Sequence, residues 1–212
     1  MTLNPQIAAP APDLRERRRR ELARSVANAA VDLFEKHGFS ATTIDDIAAA
    51  SGISRTTYFR YCATKEAAVL VDDAGLEAQL FAVASSVSPQ HPLRELENAW
   101  EEMTGIFDAD PDGHDRFLRV RRLMRGTPAL LAAGLERDAR LTEHIAAALT
   151  GQPGLAALDA HAVAGSFALG MRLAFDEWVR LAEDPNVAPP PLNQVYRAVL
   201  AALNRATETG TS

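Results

Sequence analysis

Leu22, Val26, Ala29, Ala30, Leu33 and Phe34 recur at the three- and four-residue spacing of one helix face, and the pattern stops at His37-Gly38, where glycine can take a left-handed cap. This predicts a helix over about 14–37. Thr42 or Thr43, followed three residues later by Asp45 or Asp46, reads as an N-cap with acid in the first turn; Ile44, Ile47 and Ala48 give a second helix ending near Ala50. Gly52 supplies a tight turn, Ile53 plugs the core, and Ser54 can cap a third helix reaching Tyr61. Three helices in this order, the last two short and joined across a glycine, have the shape of a helix-turn-helix unit.

Beyond Thr64 the pattern lengthens. Residues 65 to about 87 are amphipathic, and Leu93, Leu96, Trp100, Met103 and Phe107 mark a strongly apolar face after Pro92. Breaks at Pro111-Asp112-Gly113, Gly126-Thr127-Pro128, Gly151 to Gly154 and Asn186 to Pro191 separate further helices, among them 155–181 and 191–206. No period-two stretch or internal repeat interrupts them. The expected fold is all-α with about nine helices: a disordered extension 1–13, a helix-turn-helix domain 14–64, a second helical domain 65–206, and a disordered tail 207–212.

The charge is split along this division. The net charge of −6 argues against a nucleic-acid partner, but residues 14–66 carry ten Lys and Arg against seven Asp and Glu, while the acidic excess lies beyond them. A basic first segment meeting a polyanion is the reading that this asymmetry supports. The single cysteine, Cys62, rules out an internal disulfide, and neither a signal peptide nor an 18-residue apolar run is present, so a cytoplasmic location without membrane contact is expected.

The stretch from Phe34 to Leu70, with Gly38-Phe39, Thr42-Thr43, Ile47-Ala48, Ser51-Gly52-Ile53-Ser54, Thr57, Tyr61 and Lys65-Glu66, resembles the DNA-binding domain of the TetR family of transcriptional regulators. Two positions depart from the family pattern. Phe59 stands where tyrosine is usual and Cys62 where phenylalanine is usual, so a phosphate bond expected from the former falls to Tyr58 or Tyr61. The segment from Arg119 to Leu149 is similar to regulators that sense acyl-CoA-like ligands, the mycofactocin regulators among them.

The resemblance implies a homodimeric repressor that meets a near-palindromic double-stranded DNA operator with one reader per half-site. An α-helix fits the major groove, roughly 12 Å wide. Arg55 suits guanine, Thr56 and Thr57 suit base edges or a thymine methyl, and Ser54, Tyr61 and Lys65 are placed for phosphates; Arg60 suits either. Thr43 at the start of the second helix is a further phosphate candidate. Arg15 to Arg20, with Arg17 and Arg18 foremost, reads either as a solvated helix end or as a phosphate or minor-groove arm.

In the second domain Trp100, Met103, Phe107, Phe117, Met124, Phe167, Met171 and Phe175 are either core or the wall of a cavity for an apolar or acyl-CoA-like effector. Arg116, Arg119, Arg122 and Arg125 form a drifting stripe that either pairs with acids such as Asp112 and Asp115 or, with Arg121, rims such a pocket. The resemblance puts the dimer interface on the last two helices, through Val163, Ala164, Ala168, Trp178, Val195, Tyr196, Val199 and Leu203. Asp108 to Gly113 imitates the start of a calcium loop, yet Arg119 occupies the position that needs a bidentate glutamate. The histidines are scattered and no Ser-His-Asp or Cys-His context exists, so no cofactor, metal or enzymatic activity is expected.

Overall fold

The computed structural model describes residues 14–71, 75–183 and 189–208, and these form helices and turns with no strand among them. The expected extension 1–13 and residues 209–212 of the expected tail lie outside the described residues. Ten helices are seen where about nine were expected. The chain separates into two compact units, Met1–Ala74 and Gly75–Ser212.

The first unit contains α1 (Leu14–His37), α2 (Ile44–Ala50), α3 (Arg55–Tyr58) and α4 (Lys65–Val69). Ala23, Val26, Ala27, Ala30, Val31 and Phe34 form the buried stripe of α1, which packs on α2 and α4; Ile47, Ala48, Tyr58, Cys62, Ala68 and Val69 are buried in the same unit. None of α2, α3 and α4 is long enough to stand alone in water, where helices shorter than ~12–15 residues are marginal. Their ends are therefore fixed by side chains. Gly52, at φ 68, makes the turn between α2 and α3 that a side-chain-bearing residue would resist.

The second unit contains α5 (Leu76–Ala84), α6 (Pro92–Asp108), α7 (Pro111–Gly126), α8 (Pro128–Thr150), α9 (Ala157–Ala182) and α10 (Leu192–Glu208). Proline opens α6, α7 and α8 at positions where its missing N–H costs nothing. Their shared core joins Leu80, Leu96, Ile145, Leu149, Phe167, Trp178 and Tyr196 around Trp100. The aspartates that imitate a calcium loop serve as helix caps instead. Asp110 accepts from the Gly113 amide at 3.1 Å, and Asp108 accepts from the Leu192 amide at 2.8 Å and the Asn193 amide at 3.5 Å.

Several expectations need correction. The helix over 65–87 is two helices, α4 and α5; Gly75 takes φ 73 at the start of α5 and so ends any continuous run. Because α4 packs on α1 it belongs with the first unit, past the expected boundary at Thr64. Helix α10 extends to Glu208, into the expected tail. Of the residues expected at a dimer interface, Ala164, Trp178, Val195 and Tyr196 are buried in their own unit's core, and the Trp178 indole donates to the Pro190 carbonyl at 2.9 Å. Val163, Ala168, Val199 and Leu203 are half-buried. Helix α9 carries two apolar stripes: Ala160, Ala164, Phe167, Met171, Ala174 and Trp178 face the core, while Leu158, Ala162, Gly165, Leu169 and Leu173 are exposed.

Candidate nucleic-acid interface

The loop from α1 into α2 is fixed from inside. Thr42 is buried, with its hydroxyl 2.9 Å from the Gly38 carbonyl oxygen, and the Lys65 ammonium donates to the carbonyls of Phe39 at 2.7 Å and Thr42 at 3.1 Å while lying 4.0 Å from the Phe39 ring centre. Two of the three ammonium hydrogens are thus engaged, leaving one for a phosphate. Thr43, not Thr42, caps α2. The Asp46 amide donates to its hydroxyl oxygen at 3.2 Å, and the Thr43 amide and hydroxyl donate to the Asp46 carboxylate at 2.8 and 2.7 Å. The hydroxyl and amide of Thr43 beside it hold the Asp46 carboxyl below its ordinary range.

Ser54 caps α3: the Thr57 amide donates to its Oγ at 3.1 Å, and the two hydroxyl oxygens stand 2.9 Å apart. With Ser54 and Thr57 bound to each other, the side chains that α3 and its following turn present outward are Arg55, Thr56, Phe59 and Arg60, all exposed. Tyr61 is half-buried.

Here the expectation for Tyr58 is corrected. Tyr58, expected at a phosphate, is fully buried and its hydroxyl donates to the Thr64 carbonyl at 2.9 Å; burial pushes that hydroxyl well above its usual pKa. It pins the end of α3 and cannot reach DNA. Phe59, next to it, is 45% exposed. Buried Cys62 fills the core beneath, its thiol pushed up to about 11 by burial.

Sequence reasoning also missed Asp45, whose carboxylate accepts from Arg55 Nη1 at 2.8 Å through both oxygens. Ten residues and a turn separate the pair, so only the angle between α2 and α3 brings them together. Arg17 and Arg18 are exposed on the first turns of α1. They belong to a helix there.

The effector candidates pack on one another. The Trp100 ring meets Phe167, Phe175 and Tyr196 edge-on at 6.4, 5.7 and 6.2 Å, and Phe117 lies 5.7 Å from Phe107 and 4.6 Å from Phe175. Buried Met171 and half-buried Met103 belong to the same core, whereas buried Met124 lies outside it. Arg121 donates to Asp176 at 2.7 Å with its guanidinium over Phe117 and Phe175; Arg119 pairs with Asp115 at 3.8 Å and Arg125 with Glu183.

A family model described as bacterial regulatory proteins, tetR family, matches residues 27–70, the segment just built. A Mycobacterium tuberculosis protein that carries the name mycofactocin biosynthesis transcriptional regulator MftR is 31% identical over 199 residues, 91% of this chain and 96% of its own. The chain belongs to the TetR family. The HTH-type transcriptional regulator TcmR of Streptomyces glaucescens is 30% identical over 149 residues, 68% of this chain and 66% of its own. NalD of Pseudomonas aeruginosa, the secondary repressor of the MexAB-OprM multidrug efflux pump, aligns in structure with a TM-score of 0.49 at 20% identity over 87% of this chain and 95% of its own. As a TetR-family member the chain is a DNA-binding transcriptional regulator and not an enzyme. Among the described residues no helix is long and apolar enough to cross a membrane.

Proposed function

We propose that this TetR-family protein is a homodimeric repressor that binds a near-palindromic operator through α3 and is released when a small apolar or acyl-type ligand enters its second unit. The observation that carries the reading is the division of labour on α3: Tyr58 and the Ser54 cap hold it, and Arg55, Thr56 and Arg60 point outward. Four residues of helix reach only a few base pairs, too few to single out a site in a genome. Two copies about 34 to 36 Å apart, each in its own major-groove half-site, supply the rest. Arg17, Arg18 and the remaining hydrogen of Lys65 are placed to position the complex on phosphates.

The exposed stripe of α9 and a groove lined by Leu173, Ala198, Val199, Ala202 and Leu203, with Asp176, Glu177 and Arg180 along it, support α9 and α10 as the dimer face. The effector reading rests on the aromatic cluster around Trp100 with Arg121 at its edge. A regulator with no effector is the second reading, favoured by how closely those rings pack.

Selecting operators from random duplexes at physiological salt, then titrating a medium-chain acyl-CoA, tests both. A coupling of ~1–3 kcal/mol weakens operator affinity about five- to 150-fold. Binding of the acyl-CoA with unchanged operator affinity rejects the switch and leaves the DNA-binding reading standing.

A further inference from the structure

Arg55 is the first residue of α3, and two groups hold its guanidinium from different sides. Nη1 donates to both oxygens of Asp45 on α2 at 2.8 Å, and the guanidinium carbon lies 5.4 Å from the centre of the Phe59 ring, one turn along. Phe59 is itself braced. It stands edge-on to Tyr58 at 5.7 Å with the planes 89° apart, and Tyr58 is tied to the Thr64 carbonyl. A rigid line therefore runs from the core of the first unit, through two rings, to a cation on the surface.

As a stabilising contact this makes little sense. The Arg55 and Asp45 side chains are 57% and 65% exposed, and exposed ion pairs contribute almost nothing to folding. Asp45 is also free of capping duty, which Thr43 and Asp46 perform. On a surface that must approach phosphates, an extra carboxylate weakens binding to every duplex alike. Its effect is useful only if it changes which duplex is chosen.

The geometry points to Asp45 and Phe59 as specificity-determining positioning residues that aim Arg55 at a guanine. Asp45 engages Nη1 alone, so the edge formed by Nε and Nη2 keeps two parallel N–H donors, the pattern that matches guanine O6 and N7 in the major groove. A guanidinium free to swing would satisfy itself on a phosphate oxygen, which carries no sequence information. The Asp45 carboxylate holds it back and repels the phosphate it would seek, so discrimination rises as general affinity falls. The Phe59 ring, 5.4 Å from the guanidinium carbon, limits how far the guanidinium can swing. The exposure of Phe59, at odds with its apolar character, then has a reason.

This inference rests on the operator-binding reading above, and the test separates the two. The full-length wild type and its Asp45→Ala, Asp45→Asn, Phe59→Ala and Arg55→Ala variants are each used to select sites from random duplexes. Affinities are then measured for the selected operator with guanine, 7-deazaguanine or adenine at every guanine position, over a salt series. The wild type is expected to prefer guanine at one position per half-site by roughly ten- to a hundred-fold. Both Asp45 variants and Phe59→Ala shrink that preference toward the level of Arg55→Ala. The Asp45 variants also bind random duplex more tightly, which the loss of a carboxylate alone would produce; the reading specific to positioning is the lost preference for guanine, which a merely structural role would not move. Full discrimination at every guanine in Asp45→Asn, or a loss equal for all sequences, overturns the inference alone. Wild type without any sequence preference overturns it together with the operator-binding reading.

Discussion

In the first unit α2, α3 and α4 have seven, four and five residues, and each begins at a threonine or serine whose hydroxyl accepts from the helix. In the second, α8 and α9 have 23 and 26 residues and begin with no such side-chain bond. Long helices hold their course by the apolar area they bury, so their ends matter little. Short ones bury too little for that, and single polar contacts decide their direction. The DNA-facing unit thus owes its aim to a few hydrogen bonds, while the second owes its form to bulk packing.

The strongest way to break this contrast is Trp100→Ala. Removing an indole enclosed by Phe167, Phe175 and Tyr196 is expected to cost ~3–5 kcal/mol. The remaining tryptophan, Trp178, lies in the same unit, so its fluorescence in a denaturant titration reports the loss where it occurs.

One substitution made in both units sharpens the contrast. Tyr58→Phe deletes the bond to the Thr64 carbonyl and is expected to cost ~1–3 kcal/mol, seen as faster hydrogen exchange in α3 and α4. Tyr196 is equally buried, but its hydroxyl has no partner among the described residues. Tyr196→Phe is therefore expected to be neutral or to raise the denaturation midpoint. Equal losses at the two sites would erase the distinction between fasteners and filling.

The smallest expected effect is on pH dependence. Asp46 ionises at lower pH when folded than when unfolded, because Thr43 donates to its carboxylate. Its contribution is present above the unfolded value and fades as pH falls through the folded one. Thermal melts between about pH 5 and pH 2 should show a shallower acid-induced loss in Asp46→Asn than in the wild type.

How much of this was legible in the sequence follows from the same contrast. Helix α1 was readable to its ends, because its stripe repeats over several turns and glycine closes it. On α3, one turn long, periodicity has no leverage, and Tyr58 was assigned to the DNA side although it is fully buried. On α9 the fault was different: Phe167, Met171 and Phe175 were placed inward, but the core residues Ala164 and Trp178 were assigned to the dimer face. The second stripe from Leu158 to Leu173, spaced by threes and fours, was the available signal that one face packs inward and another is left over. The Asp45–Arg55 pair left no trace in spacing, since it exists only once two helices have been set at an angle.

Asp108, at the far end of α6, accepts from the first two backbone amides of α10, 84 and 85 positions onward. A helix clasped at its opening turn has a fixed zero point: every later side chain, Ala198, Ala202 and Leu203 included, falls at a set depth along the outer surface. Shortening the chain from its far terminus would trim that surface without shifting what remains, because the buried Leu192, Val195 and Tyr196 hold the rod while the carboxylate sets where its first turn begins.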